Sequence, residues 1–169
     1  GNSIKSSKAE DELLNFVKKY KIPIIFDSSS TDTFPQENKL SIGSVGSQGC
    51  SRSGAFALQN SDLVLVLGSR LDSLITGPDF KKFARDADVV IVDIDKNEHT
   101  KKGVKIKKII VSDLSFFLRL LNKKKFKKEN KKWNSKCFYW KKFFADEIII
   151  KENNNKIDLY DLSHSFSKI

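Results

Sequence analysis

Methionine is absent from this 169-residue sequence, and cysteine, with two residues, is scarce. Cys50 and Cys137 lie far apart and have no cluster of other ligand-type residues near them, which argues against a disulfide framework or a zinc site. We therefore expect two buried or half-buried thiols. A natural reading frame begins with methionine, so its absence leads us to expect a segment taken from a longer polypeptide.

Long apolar runs are also missing. No stretch reaches the roughly 18 to 20 apolar residues that a membrane-spanning helix needs, and the first residues have neither a charged nor an apolar leader region. The 39% hydrophobic content, with 13 phenylalanines, is enough to build the core of one ordinary domain. These features predict a soluble, cytoplasmic domain with no membrane partner.

Catalytic constellations are not visible either. His99 is expected in a turn beside Glu98, and His164 lies near the end of the sequence. Neither is accompanied by a Ser/His/Asp or Cys/His pairing, a metal-ligand cluster or closely spaced acids in an apolar setting. We therefore predict no catalytic residue, no metal ligand and no self-contained active site.

The positive charge is concentrated in one segment. Residues 101–142 carry 16 basic side chains against two acidic ones, whereas the formal net charge of the whole sequence is +10. Basic residues interleaved with Phe and Trp could bind nucleic acid, by contacting phosphates and stacking on bases. Lysine greatly outnumbers arginine there and asparagine is frequent, which suits the composition of an AT-rich genome as well as it suits function, so nucleic-acid binding is the weaker alternative.

Helical and strand-like segments alternate along the chain. Helices are predicted over residues 9–20, 51–60, 79–87 and 114–121, the first capped by Ser6 or Ser7 and the last by Ser112 or Asp113. Unbroken apolar runs predict buried strands over residues 22–27, 62–68, 88–95 and 109–111. This order predicts an α/β fold of the Rossmann-like, doubly wound type, with a mostly parallel sheet and helices on both faces.

The C-terminal third changes character after residue 122. Trp133, Cys137, Trp140 and Phe144 follow one another at spacings of four, three and four, so they should share one face of a helix that packs back onto the sheet domain. We divide the sequence into a central α/β domain over 1–122, a basic and aromatic linker with an exit helix over 123–150, and the start of a further domain over 151–169.

Ligands of doubly wound sheets bind beyond the carboxyl ends of the strands, so the loops at residues 28–32, 43–49, 68–77 and 93–95 are the candidate binding segments. Gly43 to Gly49 has the pattern G-x-x-G-x-x-G, which could present N–H groups to a phosphate or form only a tight turn. Arg70 could pair with a phosphate or form a surface salt bridge. Asp93 and Asp95 could grip ribose hydroxyls or serve as turn and cap residues.

The ordered motifs SIGSVGSQG, ALQNSDLVLVLGSRLDSLITG, FARDADVVIVDIDKNE and KKIIVSDLSFFLRLL resemble the central domain of acetolactate synthase and its thiamine-diphosphate-dependent relatives. The resemblance spans most of residues 1–145. It implies a nucleotide-binding type of domain, with residues 1–4 resembling the glycine turn after the domain's usual first strand, which we expect either to have been removed or to lie upstream. It also implies that residues 157–169 begin the following thiamine-diphosphate-binding domain.

In the acetolactate synthase branch this domain holds FAD, so the resemblance implies a set of FAD-binding positions. These are Ser28, Ser29, Ser30, Ser47, Gln48, Gly49, Arg70, Asp72, Asp93, Ile94 and Asp113. The sequence departs from the family pattern at Ser30, Asp32, Leu74 and Ser112. The alternative is a purely architectural domain that holds two catalytic domains apart without a nucleotide.

The resemblance also implies the wider context. Thiamine diphosphate and magnesium would be bound by the other domains of the full-length enzyme, which would be the main partners of this segment. The full-length enzyme would act on 2-keto acids by carboligation or decarboxylation and would form a homo-oligomer, and the isolated segment would be inactive.

Overall fold

The computed structural model describes residues 1–99, 103–126, 130–145 and 159–166. Five parallel strands form two sheets, one with the order β1-β2 and the other with the order β3-β4-β5. The strands are β1 (Ile24–Asp27), β2 (Ser41–Val45), β3 (Leu63–Leu67), β4 (Asp88–Asp93) and β5 (Ile106–Val111). The α/β class with parallel strands and helices is therefore confirmed.

The described residues also form seven α-helices. They are α1 (Ser3–Ser6), α2 (Glu10–Tyr20), α3 (Arg52–Gln59), α4 (Ser73–Thr76), α5 (Leu114–Lys123), α6 (Lys131–Ala145) and α7 (Leu159–Phe166). No helix among the described residues is long and apolar enough to cross a membrane.

Two apolar layers cover the strands. On one face, α1, α2 and α5 pack against the sheets through residues such as Leu13, Val17 and Leu118. On the other face, Leu58 of α3 joins Val66, Phe83 and Ile91 in a second cluster. Helices on both sides of parallel strands are the arrangement that the alternating sequence pattern predicted.

Helix α6 adds a third apolar cluster. Cys137 and Trp140 are buried against Ile42 of β2 and Ala57 of α3. Trp133 and Phe144 are partly buried beside them, so the predicted apolar face and its packing against the sheet domain are confirmed. The remainder of the proposed linker and of the following segment lies partly outside the described residues, and the three-part division stays a prediction.

The segment 79–87 is not the predicted helix. It contains a single 3₁₀ turn, Phe80–Lys82, which Asp79 caps by accepting the N–H of Lys81. Phe83 and Ala84 then leave helical geometry to reach the second core cluster, with Ala84 at a positive φ of 45°. Anchoring these two side chains immediately before β4 leaves no room for a continuous helix.

Strand β2 was missed because its sequence, SIGSV, lacks the apolar run of the other strands. Gly43, expected in a turn, lies within this strand, and the glycine loop begins only at Gly46. A side chain at Gly43 would place its Cβ 1.9 Å from Ser51 Oγ, so the glycine lets the start of α3 approach β2. In the other sheet, β5 begins earlier than predicted, because an edge strand accommodates the exposed Lys107 and Lys108.

Three smaller expectations were also wrong. Helix α2 has Ala9 rather than Ser6 or Ser7 at its N-cap, because the hydroxyl of Ser7 donates instead to the carbonyl of Ser3. Cys50 is exposed, since it lies in the glycine loop beyond β2. Leu63 is 57% exposed, so β3 is not buried along its whole length.

Candidate functional site

The candidate site lies at the carboxyl ends of the parallel strands, where β1 and β3 face each other. The chain runs from β1 to its neighbour β2 on one side and then crosses to β3 on the other, so the connections change direction between β1 and β3. Such a switch point is where doubly wound sheets bind ligands, because the loops on its two sides diverge. The loops that follow β1, β2, β3 and β4 all begin at this edge.

A buried carboxylate occupies the centre of this edge. Asp27, the last residue of β1, accepts hydrogen bonds from Ser29 Oγ at 2.7 Å and from Ser69 Oγ at 2.9 Å. The amine of Gly1 lies 3.9 Å from the same carboxylate. Burial would raise the pKa of Asp27, but the positive amine and the hydroxyl donors outweigh it and hold this pKa below its ordinary value.

Asp27 and Ser69 were not predicted as site residues. Both could have been found from the sequence, because Asp27 ends one apolar strand at the binding edge and Ser69 directly follows another. The prediction instead selected the run Ser28, Ser29 and Ser30. Ser28 and Ser29 are exposed, whereas Ser30 is buried and donates from its hydroxyl to the carbonyl of Asp27 over 3.3 Å. The loop after β1 therefore serves mainly to fold around Asp27.

The glycine loop after β2 is tied to the neighbouring segment. Ser47 donates its backbone N–H to the carbonyl oxygen of Leu74 over 2.6 Å, and its hydroxyl donates to the same atom over 3.2 Å. Gln48 and Gly49 are exposed, with Gly49 at a φ of 64°. The N–H of Ser47, predicted to face a phosphate, is thus engaged within the protein.

The predicted carboxylates act mainly as local caps. Asp72 accepts the N–H groups of Leu74 and Ile75 at the start of α4, at 3.0 and 3.3 Å. Asp113 accepts the N–H of Phe116 over 2.9 Å and so caps α5, as the sequence predicted.

Asp93 is buried at the end of β4 and accepts the N–H of Asp95 over 3.1 Å. This is the turn role that the sequence left open for the Asp93 and Asp95 pair. Ile94, between them, is 73% exposed, so its side chain contributes little to the core.

Arg70, in the loop after β3, pairs with a residue of the loop after β4. Its side chain is 72% exposed, and its Nη2 atom lies 3.5 Å from Glu98 Oε1. This is the surface ion pair that the sequence offered as the alternative to a ligand contact. Exposed pairs of this kind contribute little to stability, so Arg70 could exchange its partner at small cost.

These contacts test whether the residues fit FAD. The loops of the predicted set do converge on one edge, but the donors and carboxylates at its centre are already paired within the chain. Arg70, Gln48 and Gly49 are the exposed members. The described residues therefore do not form a ready cradle for the diphosphate of FAD in this conformation, and we derive no chemistry through a flavin.

The basic segment has several structural roles. Lys141 donates to the carbonyl oxygens of Gln36 and Asn38, and Lys136 lies 5.0 Å from the ring centroid of Trp140. Lys107 forms an ion pair with Asp88 on the neighbouring strand. Among the described residues, no three His, Cys, Asp or Glu side chains are grouped closely enough to hold a metal ion.

The fold and the arrangement of this edge define a Rossmann-like α/β domain. The sequence identifies it further, because residues 1–121 match the family of thiamine pyrophosphate enzyme central domains. The chain belongs to this family. The resemblance to the acetolactate synthase group is thereby confirmed at the level of the domain.

Individual relatives agree with this assignment. Over 98 residues the chain is 37% identical to the acetolactate synthase large subunit of Corynebacterium glutamicum, covering 58% of this chain and 15% of that protein. It is 35% identical to the Lactococcus lactis large subunit, covering 79% and 23%. It is 30% identical to the Cyanidium caldarium large subunit, covering 88% and 26%. The chain thus spans about a quarter or less of the length of these relatives.

A solved structure shows the same fold. It is that of a protein from Mycobacterium smegmatis described as thiamin diphosphate-dependent, which aligns with a TM-score of 0.56 and 18% identity. The alignment covers 78% of this chain and 24% of the other.

Proposed function

We propose that this chain is the non-catalytic central domain of an acetolactate synthase-like enzyme that acts on 2-keto acids with thiamine diphosphate. Its role is to hold two catalytic domains in position. The family match over residues 1–121 is the observation that carries this proposal. The matched region covers 15% to 26% of the large subunits that the chain resembles, which leaves room for catalytic domains on other parts of the polypeptide.

The polar groups of the sheet edge favour a scaffold over a cofactor site. Asp72 and Asp113 terminate helices, Ser47 is bonded to Leu74, and the carboxylate of Asp27 is bonded to Ser69. Each of these bonds stabilises the domain itself, since a buried or capping group that loses its partner costs about 1 to 3 kcal/mol. We propose that thiamine diphosphate and magnesium are held by the other domains, in a cytoplasmic homo-oligomer.

FAD binding is a second candidate function of the same edge. It is favoured by the exposed Arg70, whose ion pair with Glu98 could be replaced by a phosphate, and by the exposed residues Gln48 and Gly49 in the loop after β2. The two functions differ in a measurable way, because only the second requires Arg70 at the edge.

The experiment compares two matched variants in the longest polypeptide that contains residues 1–169. Arg70 and Arg85 are both exposed, and each forms one ion pair with an acidic side chain. We expect the purified protein to release no stoichiometric flavin on denaturation, and Arg70→Ala and Arg85→Ala to have equal thiamine-dependent turnover. Stoichiometric flavin that is lost only in Arg70→Ala would replace the scaffold proposal with the FAD proposal.

A further inference from the structure

An exposed aromatic surface lies where α3 and α6 pack together. Phe56 of α3 is 45% exposed, and Tyr139 and Phe143 of α6 are 62% and 50% exposed. Phe144, which is partly buried, joins them, because its ring centroid lies 5.0 Å from that of Phe56 and 5.2 Å from that of Phe143. We call these four residues the aromatic surface. Connected apolar groups that stay in contact with water commonly mark an interaction site.

The exposed side of α6 repeats at the same spacing as its buried side. Cys137 and Trp140 belong to the face that packs on the sheet domain. One position before each of them, Lys136 and Tyr139 are exposed, and Phe143 follows four residues after Tyr139. Spacings of three and four place side chains on one helix face, which is how one helix packs against another. Helix α6 therefore has a second face that suits a helical partner.

All the charged residues of these two helices are basic. Together α3 and α6 contain one arginine, five lysines and no acidic residue. Two of the cations lie against the rings. The Arg52 guanidinium is 6.0 Å from the ring centroid of Phe144, and Lys136 Nζ is 5.0 Å from that of Trp140. An acidic partner is complementary to this surface, whereas a second copy that presented the same surface would be repelled.

Nucleic acid is the other acidic partner that basic and aromatic residues can attract. Its bases bind by stacking on free ring faces. Here Lys136 already lies over the ring of Trp140. The rings of Tyr139 and Phe143 stack on each other at 24°, and Phe143 meets Phe144 edge to face. The rings thus form a joint apolar surface rather than separate faces for bases, which favours the apolar side chains of a protein.

We propose that the aromatic surface binds an acidic amphipathic helix of a partner protein. The helix lies along α6, with its apolar side chains against Phe56, Tyr139 and Phe143 and its carboxylates towards Arg52 and Lys136. Aromatic anchors bordered by charged groups are the usual arrangement of a protein interface. This inference goes beyond the proposed function and does not depend on it.

The first test measures the fluorescence anisotropy of a labelled peptide of about 14 residues, with leucine at helical spacings of three and four and glutamate elsewhere. We expect saturable binding to the chain, and Phe143→Ala to weaken it by at least about tenfold. The matched control is Phe116→Ala, which removes a ring that is 55% exposed on α5 and should change the affinity less than about twofold. Equal losses in the two variants, or equal binding of a scrambled peptide, would overturn the proposal.

Charge reversal tests the basic part of the surface separately. Lys136→Glu should weaken peptide binding by at least about tenfold, because it places a carboxylate against those of the peptide. Lys123→Glu, at an exposed position in the last turn of α5, changes the net charge of the chain by the same amount and should have a much smaller effect. Equal effects would mean attraction to the overall charge alone and would overturn the proposal.

Tryptophan emission provides a measurement that needs no variant. Both tryptophans of the chain, Trp133 and Trp140, lie on α6, and the ring centroid of Trp140 is 5.7 Å from that of Phe56. A peptide without tryptophan should therefore change this emission with the same saturation as the anisotropy. Peptide binding that left the emission unchanged would place the peptide elsewhere and overturn the proposal.

Other occupants of the aromatic surface give different results. A single-stranded oligonucleotide of about 12 nucleotides that bound more tightly than the peptide, and lost affinity in Phe143→Ala, would assign the surface to nucleic acid. A dimer in sedimentation equilibrium that Phe143→Ala abolished would assign it to a second copy. Peptide binding that disappeared in the longest polypeptide containing residues 1–169 would assign it to a neighbouring domain. Each of these three results overturns the proposal.

Discussion

The hydroxyl of Ser69 donates to the carboxylate of Asp27 over 2.9 Å, and this buried pair connects the end of β1 to the residues that follow β3. No ladder hydrogen bonds join those two strands, because they belong to different sheets. The Asp27–Ser69 pair is therefore one of the specific polar links that hold the two sheets in register at the candidate site.

Replacing Asp27 should make the free energy of unfolding depend less on pH in the acidic range. The folded pKa of Asp27 is below its ordinary value, so the carboxylate stabilises the fold above pH about 4, and this contribution is lost as the pH falls through the folded pKa. We expect Asp27→Asn to lower the free energy of unfolding by about 2 kcal/mol at neutral pH and by progressively less in acid. Chemical denaturation across this pH range measures the difference.

The control for Asp27 is Asp86→Asn. Asp86 is exposed, and its carboxylate forms an ion pair with the adjacent Arg85 at 3.4 Å, so its replacement should cost less than about 0.5 kcal/mol at every pH. If Asp27→Asn lowered the free energy of unfolding by the same amount at neutral and at acidic pH, the role assigned to the Asp27 carboxylate would be contradicted.

Gly54 should be intolerant of alanine although it lies in a helix. Alanine is favoured over glycine in helices by about 1 kcal/mol, but a Cβ at Gly54 would lie 2.3 Å from the carbonyl oxygen of Ser44 on β2. We expect Gly54→Ala to destabilise the protein by about 2 to 3 kcal/mol through this overpacking. Denaturant unfolding of the variant gives the value directly.

Ala55 in the same helix provides the comparison. It is only half-buried, so Ala55→Gly should follow helix propensity alone and cost about 1 kcal/mol. If Gly54→Ala proved neutral or stabilising, α3 would not approach β2 as closely as described.

Trp140 should be important for attaching α6. It is buried with Cys137 against Ile42 and Ala57, so Trp140→Ala should cost about 3 to 5 kcal/mol. Its neighbour Tyr139 is exposed and stacks on Phe143, so Tyr139→Ala should cost less than about 1 kcal/mol. Thermal unfolding measures the stability of both variants. Equal losses of stability in the two would mean that α6 does not pack through the described face.

The two thiols should differ sharply in reactivity. Cys137 is fully buried, and burial raises its pKa to about 11, whereas Cys50 is exposed in the glycine loop. We expect an alkylating reagent at mildly alkaline pH to label one thiol per folded chain and both thiols in denaturant. Mass spectrometry of the labelled peptides identifies the site, and rapid labelling of Cys137 in the folded chain would refute the buried arrangement.

The sequence predicted those elements whose side chains alternate or repeat clearly. The apolar runs predicted as strands over residues 22–27 and 88–95 contain β1 and β4, which end at Asp27 and Asp93, and the spacing of Trp133, Cys137 and Trp140 correctly indicated a buried helix face. Strand β2 could not be found in this way, because its glycine and serines are selected by the close approach of α3. Contacts between distant segments, unlike local periodicity, leave no regular pattern in the sequence.

The candidate site was less predictable than the fold. The cap of α5 was narrowed to Ser112 or Asp113, because a cap lies within a few residues of the helix that it precedes, and the structure shows Asp113. The pairing of Asp27 with Ser69, and of Ser47 with Leu74, joins segments that are 42 and 27 residues apart. The FAD-binding role of the proposed positions stays a prediction, and their partners within the chain could not be read from local sequence patterns.

Thiamine dependence of the longest polypeptide that contains residues 1–169 is the most direct test of the proposed function. The measurement is the rate of 2-keto acid consumption with and without added thiamine diphosphate and magnesium, for that polypeptide and for the isolated chain. The longer polypeptide should consume the 2-keto acid only when both are present, and the isolated chain should be inactive. Failure of the longer polypeptide to show thiamine-dependent turnover, or turnover by the isolated chain, would contradict the assignment of a non-catalytic central domain.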